Sequence, residues 1–346
     1  MKKLLSLGLL GVCGVGFAQT RYLSVDLGTL GGNSASALAL NDHGDVVGSA
    51  YTAAGQPHAF LYSGGVMHDL GTLPGDTISN ATGINNLGQV VGVSSHQNGD
   101  GSYTYHAFLY ADGVMQNLGT LAGFSDSKCG SINDSGVVVG WSIQSAGPQY
   151  HAFTYDGGSL RDVSGGLTSI ALAINSSGQA AGQVRFSDFG DWHAALFSGG
   201  VVQDLGVLPG FSFSQADALN SIGQVVGICQ GPGVTDGFLY SAGTMTDLGG
   251  LGGLGAWPTG INDAGYVVGS SLVRLSNGHQ VNHGFVYVAG HMRDLNSLIF
   301  PRRVGPIFSL AYGINSHGLI CGQTMIDGNH SHATLLVPYM PISIHP

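Results

Sequence analysis

The sequence predicts an all-β fold, a seven-bladed β-propeller with four-stranded blades, from three observations. Three short motifs recur in fixed order, each seven times along the chain. The interval between copies is the length of one four-stranded unit. The composition suits short strands joined by tight turns.

Composition narrows the fold class first. Of 346 residues 59 are Gly and only 9% are charged, against about a quarter charged in an ordinary soluble domain. Ser, Asn, Thr and Gly must therefore supply most of the polar surface. Gly and β-branched residues disfavour helix interiors and are at home in turns and strands. With 43% hydrophobic residues the chain can bury a substantial core, which excludes disorder.

The first motif is Asn-x-x-Gly followed by an apolar strand and a further Gly. It opens at Asn41, Asn85, Asn133, Asn175, Asn220, Asn262 and Asn315, at intervals of 42 to 53 residues. The second is a HAFLY-like strand beginning at His58, His106, His151, His193, Asp236, His283 and His332. The third is DLGTL or a relative, at Asp26, Asp69, Asn117, Asp162, Asp204, Asp247 and Asp294. In the second unit the four strands are expected at 81–85, 89–94, 106–110 and 115–118. Gly accepts positive φ, and Asn tolerates it better than other residues, so Asn-x-x-Gly reads as the turn of a hairpin. Gly-Gly pairs at 64–65, 157–158 and 199–200 do the same between the third and fourth strands.

The order of motifs at the two ends predicts how the ring closes. The first strand after the leader, 22–27, is an isolated fourth strand, and the last unit stops after its third strand at 332–338. The N-terminal strand then completes the last blade, leaving no open sheet edge. An open β-solenoid is the alternative, but it does not account for the split unit.

The run HAFLYSGGVMHDLGTLPG (58–75) together with GINNLGQVVG (83–92) resembles the HAF-repeat family of predicted extracellular bacterial repeat proteins. The likeness spans essentially the whole chain beyond the leader. It implies export and a repetitive β fold, and no assigned activity. Some relatives carry a sorting signal or apolar anchor at the C-terminus, and the tail 338–346 has neither.

Residues 1–18 read as a signal peptide. Lys2 and Lys3 precede an apolar run at 4–17, and Gly16-Phe17-Ala18 places small residues at the cleavage positions. Cys13 follows Val12, where lipidation motifs want a small residue. The run is too short to span a bilayer, and there is no other candidate span. The expectation is a secreted or periplasmic monomer. Without the two lysines the chain keeps 8 basic against 20 acidic residues, which argues against nucleic acid as a partner. Cys129, Cys229 and Cys321 are odd in number and unrelated in register, so they read as buried free thiols.

Residues repeated once per blade lie far apart around a ring, so the histidines are expected to pin strands within blades rather than to form a site. No metal or cofactor is expected: Asn98-Gly99-Asp100-Gly101 and 41–45 lack the distal Glu of a calcium loop, and His279, His283, His330 and His332 lack zinc spacing. Binding is expected on the face carrying the variable loops between strands two and three and between successive blades. Its candidates are Trp192, Trp257, Trp141, Tyr103, Phe211, Arg302 and Arg303, with Trp and Tyr as platforms for sugars. The acids Asp76, Asp126, Asp188, Asp191 and Asp217 are candidates by location alone. The function expected is a non-enzymatic binding or structural scaffold for carbohydrate or another surface macromolecule. The alternative is an exported propeller enzyme, a glycan hydrolase or lyase, with carboxylates at the axial mouth. The predicted axial segments carry no charge, which favours the scaffold.

Overall fold

The computed structural model describes residues 20–144, 149–187, 190–301 and 305–339. Residues 1–18, read above as a signal peptide, and the pair Arg302 and Arg303 lie outside these residues, as does Asp188. Among those described, no helix is long and apolar enough to cross a membrane.

Seven four-stranded antiparallel sheets form seven blades. Their inner strands are Gly31–Leu40, Ile78–Ile84, Asp126–Ile132, Thr168–Ile174, Phe213–Leu219, Ala256–Ile261 and Ile307–Ile314, which open blades one to seven in turn. In blade seven the outer strand is the N-terminal one: Arg21–Gly28 pairs antiparallel with Ser331–Tyr339. Ring closure by the first strand is therefore as the motif order predicts. Tyr22 anchors it, fully buried, with its N–H on the Leu298 carbonyl at 2.9 Å.

The first motif makes a second closure. The side-chain amide of each turn Asn donates to the backbone carbonyl of the corresponding Asn one blade on: Asn41 to Asn85, 3.2 Å; Asn85 to Asn133, 3.0 Å; and so through Asn175, Asn220 and Asn262 to Asn315. Asn315 completes the circle on Asn41 at 3.0 Å. Each Asn is buried and its Oδ1 also accepts from its own turn, as Asn85 does from Gln89 at 2.9 Å. A buried amide demands such partners, which is why Asn stands at all seven positions.

The glycine that ends VVG has a packing cause. Every inner strand carries a bulge, for example between Ala81 and Gly83, and the carbonyl just before it leans onto the second strand. A methyl group at Gly92 would run into the Asn80 carbonyl oxygen, and the same clash recurs at Gly48, Gly140, Gly182, Gly227, Gly269 and Gly322. Only Gly fits there.

Between blades the core is built from the HAF phenylalanines. Phe60, Phe108, Phe153, Phe238 and Phe285 are wholly buried. Blade seven has Thr334 at that place, and the space is filled from the inner strand: the Phe308 ring lies over Gly322 as Phe108 lies over Gly92. Cys129, Cys229 and Cys321 are buried and unpaired, as expected. Burial pushes the Cys129 and Cys321 thiols up to about 12.

Candidate functional site

The second and third motifs meet in a clasp. His58 Nδ1 lies 3.0 Å from the Asp69 carboxylate, and His151–Asp162, His193–Asp204, His283–Asp294 and His332–Asp26 repeat the pairing at 2.7–2.9 Å. The same carboxylate caps its own turn, Asp69 accepting the Gly71 N–H at 2.8 Å. These pairs tie the third strand to the outer strand of one sheet, as expected of a structural histidine. In blade five Asp236 replaces the His and faces Asp247. Burial first, and then the Asp247 charge, raise the pKa of Asp236 above its ordinary value.

Blade two departs from this scheme at three positions. Asn117 stands in place of the outer-strand Asp and keeps only the turn, accepting the Gly119 N–H at 2.8 Å. The carboxylate comes instead from Asp76 in the loop before the blade. That loop is closed by Asp76 N–H to the Leu73 carbonyl, 3.0 Å; Phe124 and Phe211 make the matching bond in their own loops. Where Phe124 packs on His151, ring centroids 4.9 Å apart, Asp76 meets His106. Its Oδ2 is 3.0 Å from His106 Nδ1 and its Oδ1 2.8 Å from His96 Nδ1. The two imidazoles stack at 6.1 Å and 28°. The Asp76 side chain is 1% exposed, those of His96 and His106 36% and 28%. Burial alone would raise the Asp76 carboxyl, but hydrogen bonds from His96, Ser94 and His106 hold it below the usual range. Sequence reasoning named Asp76 by location, read His106 only as a strand pin, and passed over His96. The signal was there in register: Asn117 for Asp, Asp76 for Phe, and an extra His96.

Strand alternation puts Thr104 and His106 on one face of the strand Tyr103–Ala111, and Tyr103 and Tyr105 on the other. Tyr103 and Tyr105, with Thr104 between them, line a groove of about 780 Å³ together with Asn98, Asp126, Gln144 and Tyr150. Tyr103 and Tyr105 stack at 6.2 Å and 22°. Lys128 Nζ sits 3.6 Å over the Tyr105 ring, and burial lowers its pKa, with Asp126 opposing. The Asp126 carboxylate is committed, accepting from Tyr105 N–H at 2.8 Å and from Ser125. Tyr150 continues to Trp192, centroids 6.2 Å apart, and the Arg185 guanidinium lies 4.8 Å over that indole. Tyr103 and Trp192 are thus joined in one aromatic strip across blades two to four.

The other candidates lie elsewhere. Trp257 is on the inner strand of blade six and lines a separate depression of about 500 Å³ with Thr235 and Leu272. Phe211 packs against the core between blades four and five. Trp141 lies within the second strand of blade three, paired with Lys128 and Ala152, rather than in a loop.

The axial segments need a correction. The inner strands begin earlier than the sequence suggested, and they bring Asp126, Lys128 and Asp217 with them. Asp217 is the extra residue of its strand's bulge, between Ala216 and Ala218. Thr82 and Thr259 hold that place in blades two and six and donate to a carbonyl of the next blade at 3.1 and 2.7 Å. Burial pushes Asp217 up to about 7, against a 2.6 Å hydrogen bond from Gln215.

These features define a seven-bladed β-propeller with an aromatic strip and a His–Asp–His cluster on the long-loop face. No protein-family model and no curated protein matches the chain. Solved structures do. One is YCF48 bound to D1 peptide, with 10% identity, TM-score 0.50, and 94% of this chain and 97% of that one covered. Another is the β-propeller domain of the Trilobed protease from Pyrococcus furiosus, at 7% identity and TM-score 0.53, covering 90% and 99%. A third is the Pyrococcus horikoshii acylaminoacyl peptidase, at 8% identity and TM-score 0.49, where this chain spans about half (52%) of the enzyme. At such identities the likeness is one of fold.

Proposed function

We propose that the protein is an exported, non-enzymatic binding scaffold whose ligand is a carbohydrate laid along the aromatic strip of blades two to four. The observation that carries this reading is the groove framed by Tyr103, Tyr105 and Tyr150 and continued by Trp192. Sugar rings present C–H faces to aromatic platforms and hydroxyls to amides and carboxylates, and Asn98, Asp100 and Gln144 on the groove supply the latter. Strands position Tyr103, Tyr105 and Tyr150 at little entropic cost, and Trp192 immediately precedes the strand His193–Ser198. Export rests on the leader at 1–18, and on the resemblance to the HAF-repeat family.

A glycan array on untagged protein lacking residues 1–18 tests the reading. Binding is expected, and Trp192→Ala or Tyr103→Ala weakens it about tenfold or more, near 1.4 kcal/mol each. Trp257→Ala, away from the strip, leaves it unchanged. An array without any hit, or hits indifferent to Trp192 and Tyr103, overturns it. Peptide spots on the same array cover a protein ligand, the type of ligand named for YCF48.

A further inference from the structure

In five blades one imidazole per carboxylate suffices to clasp the third strand to the outer one. Blade two does more. It moves the carboxylate into a loop, buries it, and aims a second imidazole at it from the second strand. We propose that Asp76, His96 and His106 bind one divalent transition-metal ion, with zinc the best fit.

The geometry is that of a tridentate site. One donor atom from each residue lies within 4.8 Å of the other two. The carboxylate oxygens stand 2.8 and 3.0 Å from the two Nδ1 atoms. Bonds of about 2.0–2.1 Å to zinc in a tetrahedron put neighbouring ligand atoms roughly 3.3 Å apart, so modest opening of the cluster seats the ion. Two imidazoles and one carboxylate favour zinc and its neighbours over calcium or magnesium, which want all-oxygen shells. In binding, each His presents the Nδ1 lone pair and carries its proton on Nε2. Three protein ligands leave the fourth position to water or to a ligand atom, and the partly exposed imidazoles give the ion a way in.

The site is preorganised by backbone. The Leu73 carbonyl holds the Asp76 loop, and Ser94–His106 and His96–Thr104 pair across the hairpin that carries both histidines. The ion is held by residues none of which lines the aromatic groove. Its occupancy is therefore separable from glycan binding.

The test is zinc uptake by untagged, chelator-treated protein, followed by calorimetry and by elemental analysis after dialysis. One equivalent of zinc is expected, with a rise in Tm on addition of zinc. Cobalt in its place should give the visible absorption of a four-coordinate ion. His96→Gln, at a partly exposed position, should keep the fold by circular dichroism and weaken zinc at least tenfold, and Asp76→Asn roughly a hundredfold or more. His58→Gln, from an ordinary clasp, should leave uptake unchanged. Absence of bound zinc in the parent protein overturns the proposal. So does uptake that survives both His96→Gln and Asp76→Asn, and the cluster is then a hydrogen-bonded clasp alone.

Discussion

The side chain of Asn315 donates to the backbone carbonyl of Asn41 at 3.0 Å, joining residues 274 positions apart. It is the seventh bond of a ring whose other six have the same geometry. The circle is thus closed twice, by a strand at the rim and by an amide at the hub.

Removing that amide strands a buried carbonyl and the turn donors it satisfied. Asn315→Ala is expected to cost about 1–3 kcal/mol in urea unfolding. Asn133→Ala, in the middle of the chain, should cost the same. A much smaller loss at Asn315 would mean that the seam is held by the N-terminal strand alone.

Phe308 substitutes for a missing HAF phenylalanine, so the two positions must be coupled. Phe308→Ala is expected to destabilise by about 3–5 kcal/mol through the cavity it opens, and Thr334→Phe alone to overpack the same space. The double variant should recover a kcal/mol or more relative to the sum of the single changes. Simple additivity would show that the rings occupy separate spaces.

Asp217 makes stability depend on pH with a definite sign. Its folded pKa is about 7, and an unfolded carboxyl titrates near 3.9. Between those values the folded protein holds a proton that the unfolded chain has lost. Stability therefore falls as pH rises through about 4 to 7 and is constant above. Three pKa units bound the loss at about 4 kcal/mol, and the water contact the partly accessible residue keeps tempers it. Asp217→Asn should match the parent near pH 4 and melt higher at pH 8. Parallel melting curves across that range would remove Asp217 as the cause.

Blade five lacks the clasp because Asp236 faces Asp247. Asp236→His restores the pairing used by five other blades and removes a like-charge contact. A gain of about 0.5–1 kcal/mol at neutral pH is expected, for a partly exposed pair of this kind. No gain in thermal unfolding would mean that the His–Asp bond adds nothing beyond strand pairing.

Much of this was legible in the sequence because its causes are local and repeated. Asn-x-x-Gly, VVG, HAF and DLG each answer one recurring demand: a positive-φ turn with a buried amide, a close carbonyl, a core ring, a carboxylate that caps its own turn. The count of seven followed from the number of copies, and closure by the first strand, expected at 22–27, from their order. What the sequence could not place were contacts between units. The Asp76 carboxylate reaches His106 across 30 positions, and Tyr150 meets Trp192 from another blade. Asp217 looks like an ordinary loop acid until the bulge carries it into the inner strand. Periodicity determined the scaffold of this protein, since each blade solves the same packing problem. The tertiary structure decided the site, because it arises where the copies differ and only the closed ring brings those differences together.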